Sequence, residues 1–103
     1  MQIDTGRIQF NRLKGFGPRS DTAEVIFNSP VTQATAILRG FDVAFSEDDG
    51  DHELGNLEIR LNAEIDPLAP QRVNVEAVFG LRDWSGEWDD DYEGEIFFTV
   101  VAE

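Results

Sequence analysis

The sequence predicts an all-β fold, a six-stranded antiparallel β-sandwich formed by residues 1–103 as a single domain. Three observations carry that expectation. Apolar residues recur with a period of two, the mark of a half-buried strand, rather than with the 3.6-residue period of a helix. Gly and Pro punctuate the chain at short intervals, and no helical stripe lies between them. The length of 103 residues, with 41% hydrophobic residues and eight Phe, suits one core and leaves no room for a second.

The elements follow in chain order. Met1 to Phe10 alternates weakly around Gly6, and Lys14-Gly15-Phe16-Gly17-Pro18 reads as a loop. Thr22 to Asn28 sets Ala23, Val25 and Phe27 against Glu24, and Asn28-Ser29-Pro30 ends it. Gln33 to Phe45 is long and apolar, with Gly40 in its middle, where a glycine marks a bulge or bend. Leu57 to Asp66 is the cleanest strand, apolar at every odd position from Leu57 to Ile65 and polar at every even one. Asp66-Pro67-Leu68-Ala69-Pro70 stops it, because proline donates no ladder hydrogen bond. Val73, Val75, Ala77, Phe79 and Leu81 then resume the alternation, so the two runs read as an antiparallel hairpin.

The last strand, Glu95 to Ala102, has two apolar faces: Ile96, Phe98, Val100 and Ala102 on one, Phe97 and Val101 on the other. A two-layer sandwich leaves one of these facing water, so Phe97 and Val101, joined by Val78, are expected to form a patch. Homo-oligomerisation is the expected cover, with a loop from the N-terminal arm as the alternative.

Twenty-one Asp and Glu against eight Lys and Arg give 8 − 21 = −13. The excess sits in residues 45–103, which hold seventeen acidic and three basic side chains. Such a surface repels a nucleic-acid duplex, so nucleic acid is not an expected partner. The chain has no Cys and a single His, His52, which removes disulfides, thiolate metal sites, thiol nucleophiles and any multi-histidine site. No apolar run approaches a membrane span, so membrane insertion is not expected. MQIDTGRIQF lacks the features of a secretory signal, which points to the cytoplasm or a non-Sec export route. Without a nucleophile triad, a phosphate loop or a deep cleft, the expectation is that the domain is not an enzyme.

Two acidic loops hold the remaining chemistry. Residues 46–53 carry five carboxylates and His52; residues 83–94 carry six carboxylates, both Trp and the sole Tyr. Asp89-x-Asp91-x-Glu93-Gly94 opens like an EF-hand, but position twelve is Val100 and a strand follows. Asp89, Asp90 and Asp91 are the candidate ligands for a calcium ion of other geometry; a solvated, mutually screened acidic loop is the alternative. Trp84, Trp88 and Tyr92 fall at i, i+4 and i+8 in a polar segment. Ring faces beside carboxylates suit a sugar, whose C–H face stacks while its hydroxyls donate. Asp51 and His52 complete this carbohydrate-binding candidate. The competing reading has the Trp rings fold back to cap the sandwich and leaves His52 as an exposed loop residue.

Ile3-Asp4-Thr5-Gly6, then Val25-Ile26-Phe27-Asn28-Ser29-Pro30-Val31 leading into Ala36-Ile37-Leu38-Arg39-Gly40-Phe41-Asp42, resembles the H-type lectin domain. The resemblance covers residues 1–45 and the final strand. The Asp83–Gly94 loop stands outside the pattern, so no sugar-binding residue is carried over. What the resemblance implies is a six-stranded sandwich assembled as a trimer or hexamer, with sugar sites for N-acetylgalactosamine-type residues between protomers. The expected function is therefore that of an oligomeric, lectin-like carbohydrate-binding module, calcium-assisted if the acidic loop takes the ion. The alternative is a non-enzymatic assembly or interaction domain whose acidic surface meets a basic partner or calcium.

Overall fold

The described residues form six strands: β1 (Gln2–Leu13), β2 (Arg19–Ile26), β3 (Ala34–Phe45), β4 (Leu54–Ile65), β5 (Arg72–Asp83) and β6 (Tyr92–Ala102). The computed structural model describes residues 1–13, 17–46, 53–85, 88 and 91–103, and among these there is no helix. Sheet I has the order β1-β6-β3 and sheet II the order β2-β5-β4. Every neighbouring pair is antiparallel, and the two sheets face each other as a β-sandwich.

The central strands β5 and β6 supply the most deeply buried residues, and the cleanest alternation, in β4, lies at an edge. Val73, Val75, Ala77, Phe79 and Leu81 of β5 meet Ile96, Phe98, Val100 and Ala102 of β6 in the core, all essentially inaccessible to water. The β4–β5 hairpin forms as the sequence predicts, in register from Leu57↔Leu81 to Ile65↔Val73. Its turn is held locally. Asp66 Oδ1 accepts from the Leu68 N–H at 2.9 Å, and the Asp66 N–H donates to the Arg72 carbonyl at 3.0 Å. This is the Asx-turn chemistry that fits Asp ahead of Pro.

Gly40 does mark a bulge. Pairing with β6 passes from Leu38↔Phe98 to Gly40↔Phe97, so Arg39 is the extra residue, and its guanidinium sits 5.6 Å over the Phe97 ring.

Val78 is not part of the Phe97 patch. It belongs to β5 in sheet II, opposite Ser20 and Arg60, whereas Phe97 and Val101 belong to sheet I. The strands beside β6 are β1 and β3, so Ile3 and Ile37 complete the patch instead. The sequence alternation gives the face of a residue but not the sheet that holds it.

The two long sides of the sandwich close differently. β1 and β2 share one side, β3 and β4 the other. Ile8, Phe10 and Val25 are buried on the first. On the second, Leu38 and Phe41 are 43% and 48% exposed although they oppose the buried Phe98 and Ile96. Leu57, Ile59 and Leu61 of β4 are only half-buried.

Candidate functional site

The aromatic segment lies at the end of the sandwich where β5 runs into β6, and its three rings go to three different environments. Tyr92 is the first residue of β6 and is completely buried. Its ring meets Phe79 edge-on, centroids 5.2 Å apart. Its hydroxyl donates to the Gly17 carbonyl at 2.8 Å. Desolvation pushes that hydroxyl above the ordinary value near 10, with the adjacent Arg19 pulling the other way. Arg19 completes the cluster, its guanidinium 4.5 Å over the Tyr92 ring and 5.6 Å over Phe10. It donates to the Asn11 carbonyl at 2.7 Å and the Tyr92 carbonyl at 2.8 Å. Tyr92 therefore offers no face on which a sugar can stack.

Trp88 is half-buried and packed against the core. It lies over Gly80, on the side of β5 opposite Phe79 and Leu81. A Cβ built on Gly80 would stand 2.9 Å from Trp88 Cη2 and 3.1 Å from Pro18. Only glycine lets the indole and the start of β2 close there. The Arg82 guanidinium is 5.5 Å from the indole centroid, and Tyr92 lies 6.2 Å away at a tilt. Trp84 alone remains in water, 73% exposed. It sits in a turn in which Asp83 Oδ1 accepts from both the Ser85 N–H and hydroxyl, at 2.9 and 2.6 Å.

Asp91 is buried, and its carbonyl accepts from the Ser46 N–H at 2.9 Å. Asp51, His52, Asp89 and Asp90 lie outside the described residues. Among the described residues, no three of His, Asp and Glu are grouped to hold a metal ion.

The polar sequence around Tyr92 predicts a loop, whereas Tyr92 begins β6. The signal that places it correctly is parity. Tyr92, Gly94, Ile96, Phe98, Val100 and Ala102 are one alternating set, and extending the strand across the acidic Glu93 and Glu95 puts Tyr92 on its core side. Arg19 carried no such signal, because its partners come from β1 and β6.

A second feature is the water-facing side of sheet I, built in rows across β1, β6 and β3. Ile3, Val101 and Thr35 form the first row; Thr5, Thr99 and Ile37 the second; Arg7, Phe97 and Gly40 the third; Gln9, Glu95 and Asp42 the fourth. Ile3 is 62% and Ile37 50% exposed, with Phe97 and Val101 partly covered. The face thus runs from apolar and hydroxyl groups at one end to carboxylates at the other. At the acidic end, Gln9, Asp42, Glu93 and Glu95 line a shallow groove of about 200 Å³ over Gly94. Arg7 joins the two halves through an ion pair with Glu95 at 3.5 Å.

No family model, curated protein or solved structure matches the chain. The H-type lectin likeness rests on its sequence elements alone.

Proposed function

We propose that this is a non-enzymatic assembly domain that docks a basic protein subunit through the outer face of sheet I. The observation that carries the reading is the composition of that face. Ile3 and Ile37 stand exposed beside the partly covered Phe97 and Val101; Arg7 and Arg39 flank Phe97, and beyond them the face ends in the carboxylates of Asp42, Glu93 and Glu95. Contiguous apolar surface rimmed by charge is the usual form of a docking site. The net charge of −13 speeds encounter with a positively charged partner and slows it with an acidic one. The outer side of sheet II contrasts with it, presenting Glu24, Glu58, Arg60, Glu64, Asp66, Arg72 and Glu76, several of them ion-paired with each other.

A photo-crosslinking residue placed at Ile37 tests this, with the same group at Glu76 on the far sheet as control. The expected result is a discrete adduct to a basic protein from Ile37 only, lost in high salt and in Glu95→Lys. Equal labelling from both positions, or an adduct indifferent to salt and to Glu95→Lys, sinks the reading.

Trp84 favours a second reading, in which one exposed ring beside Asp83 supplies a weak carbohydrate contact that becomes useful only through multivalent display. A glycan array run with calcium and with EDTA addresses it. Specific hits lost in Trp84→Ala would establish sugar binding, and hits lost in EDTA would add calcium; a blank array in both conditions removes this reading.

A further inference from the structure

We infer that β4 is an open pairing edge, and that its occupant is β4 of a second copy of this chain, joined antiparallel about a two-fold axis at Ile59. The inference is independent of the sheet I docking face.

It begins with the four edge strands. A sheet edge is a row of unpaired N–H and C=O groups, and proteins guard such rows with bulges, short strands or charges pointing inward. β1 places Asp4 opposite the core residue Val100. β2 is eight residues long and places Asp21 opposite the core residue Ala77. β3 is interrupted by the Arg39 bulge. β4 has none of these over Asn56–Ile65. Its core-facing residues are Leu57, Ile59, Leu61, Ala63 and Ile65, it contains no proline, and its one irregularity lies at its start, between Leu54 and Asn56. Among the described residues, no strand pairs with its outer edge.

The orientation of the backbone sets what the edge offers. The Asp66 N–H donates to the Arg72 carbonyl, so the even-numbered residues of β4 bond to β5. Antiparallel alternation then turns the N–H and C=O groups of Leu57, Ile59, Leu61, Ala63 and Ile65 to the open side.

Self-complementarity selects the occupant and, among axes placed in the middle of the strand from Glu58 to Asn62, its register. With the axis at Ile59, Leu57 opposes Leu61 of the other copy, Asn56 opposes Asn62, and Glu58 opposes Arg60, twice by symmetry. Axes at Glu58 and Arg60 set identical charges against each other. An axis at Leu61 opposes Glu58 to Glu64, and one at Asn62 opposes Glu58 to Asp66. The Ile59 register alone among these brings no like charges together. Glu58 and Arg60 already lie side by side at 3.3 Å on the outer face, within reach of a neighbouring strand. The same contact sets the two β3–β4 sides against each other, where Leu38 and Phe41 are left half-exposed. An isologous pairing of this kind closes on itself as a dimer with one continuous sheet, β2-β5-β4-β4-β5-β2.

Sedimentation equilibrium of the full chain across the micromolar to millimolar range, with Glu58→Arg and Arg60→Glu chains alongside, tests the inference. A concentration-dependent dimer is expected, with each reversal alone weakening it about tenfold or more, since each replaces two cross-strand attractions by repulsions. An equimolar mixture of the two reversed chains should recover the association, because every Glu58–Arg60 contact is attractive again in the mixed pair. Amide exchange at Ile59 and Leu61 should slow as the dimer forms, with even-numbered neighbours already protected in the monomer. A chain monomeric throughout the range overturns the inference. So does a dimer that both reversals leave intact, or one that Ile37→Lys abolishes, which would place the contact on sheet I.

Discussion

The β3 and β4 strands are richer in apolar residues than β1 and β2, yet it is the β1–β2 side of the sandwich that is sealed and the β3–β4 side that is not. On the β1–β2 side, Ile8, Phe10 and Val25 are buried, and Arg19 bridges the sheets by reaching from β2 to the carbonyls of Asn11 and Tyr92. On the β3–β4 side Leu38 and Phe41 remain about half-exposed. The difference teaches that alternation alone does not close a sandwich. On the sealed side Arg19 adds a tie from one sheet to the other.

The largest expected effect comes from breaking the centre that both sides share. Phe79 has no accessible surface and packs edge-on against both Phe10 and Tyr92. Phe79→Ala should cost about 3–5 kcal/mol, transfer and cavity terms together, read as a lower urea midpoint with an unchanged slope. A loss below about 1 kcal/mol would mean that the sealed side is not where the stability resides.

Much of this contrast was legible in the sequence, and the missing part has a physical cause. The β4–β5 hairpin could be read directly because its strands are consecutive and a proline-bounded turn joins them, so pairing is local. The Gly40 bulge and the two apolar faces of β6 were legible for a similar reason, since each is a property of one segment. The order β1-β6-β3 was not legible. It joins residues at opposite ends of the chain, and alternation alone does not tell that Val78 lies in the other sheet from Phe97. Trp88 and Tyr92 were misleading for a different reason. They sit among carboxylates in sequence, but their surroundings are set by Gly80, Phe79 and Arg19, which come from other strands.

An intermediate effect follows from Tyr92, which anchors the sealed side. Its folded-state pKa is raised by burial above the ordinary value near 10. Below pH 10 both states keep the proton, and its contribution is fully present. Above pH 10 the unfolded chain loses that proton first and binds fewer protons than the fold, so stability falls by about 1.4 kcal/mol per pH unit until the folded-state value is passed. Tyr92→Phe should lose about 1 kcal/mol at neutral pH, from the bond to Gly17, and should lose this alkaline component altogether. Tyr92 is the chain's single tyrosine, so absorbance at 295 nm follows it alone. A midpoint at or below 10 in the folded protein would contradict the buried environment.

The smallest expected effect sharpens the comparison from the open side. Phe41→Ala removes a ring of the same size as Phe79, from a residue that likewise faces the core, opposite Ile96. Nearly half of Phe41 is in water, so less apolar area returns to solvent on unfolding and no closed cavity is left behind. In dilute solution, where the chain is a monomer, the cost should be about 1 kcal/mol or less, several-fold below Phe79→Ala. The concentration dependence then carries the information. If β4 edges pair and close the β3–β4 side, Phe41 becomes buried in the dimer, and the cost of Phe41→Ala should grow as protein concentration rises through the dimer's dissociation range. Phe79→Ala, already buried in the monomer, should show no such growth. Equal concentration dependence in both variants would mean that association does not cover the open side, and the two sides would then differ in packing alone.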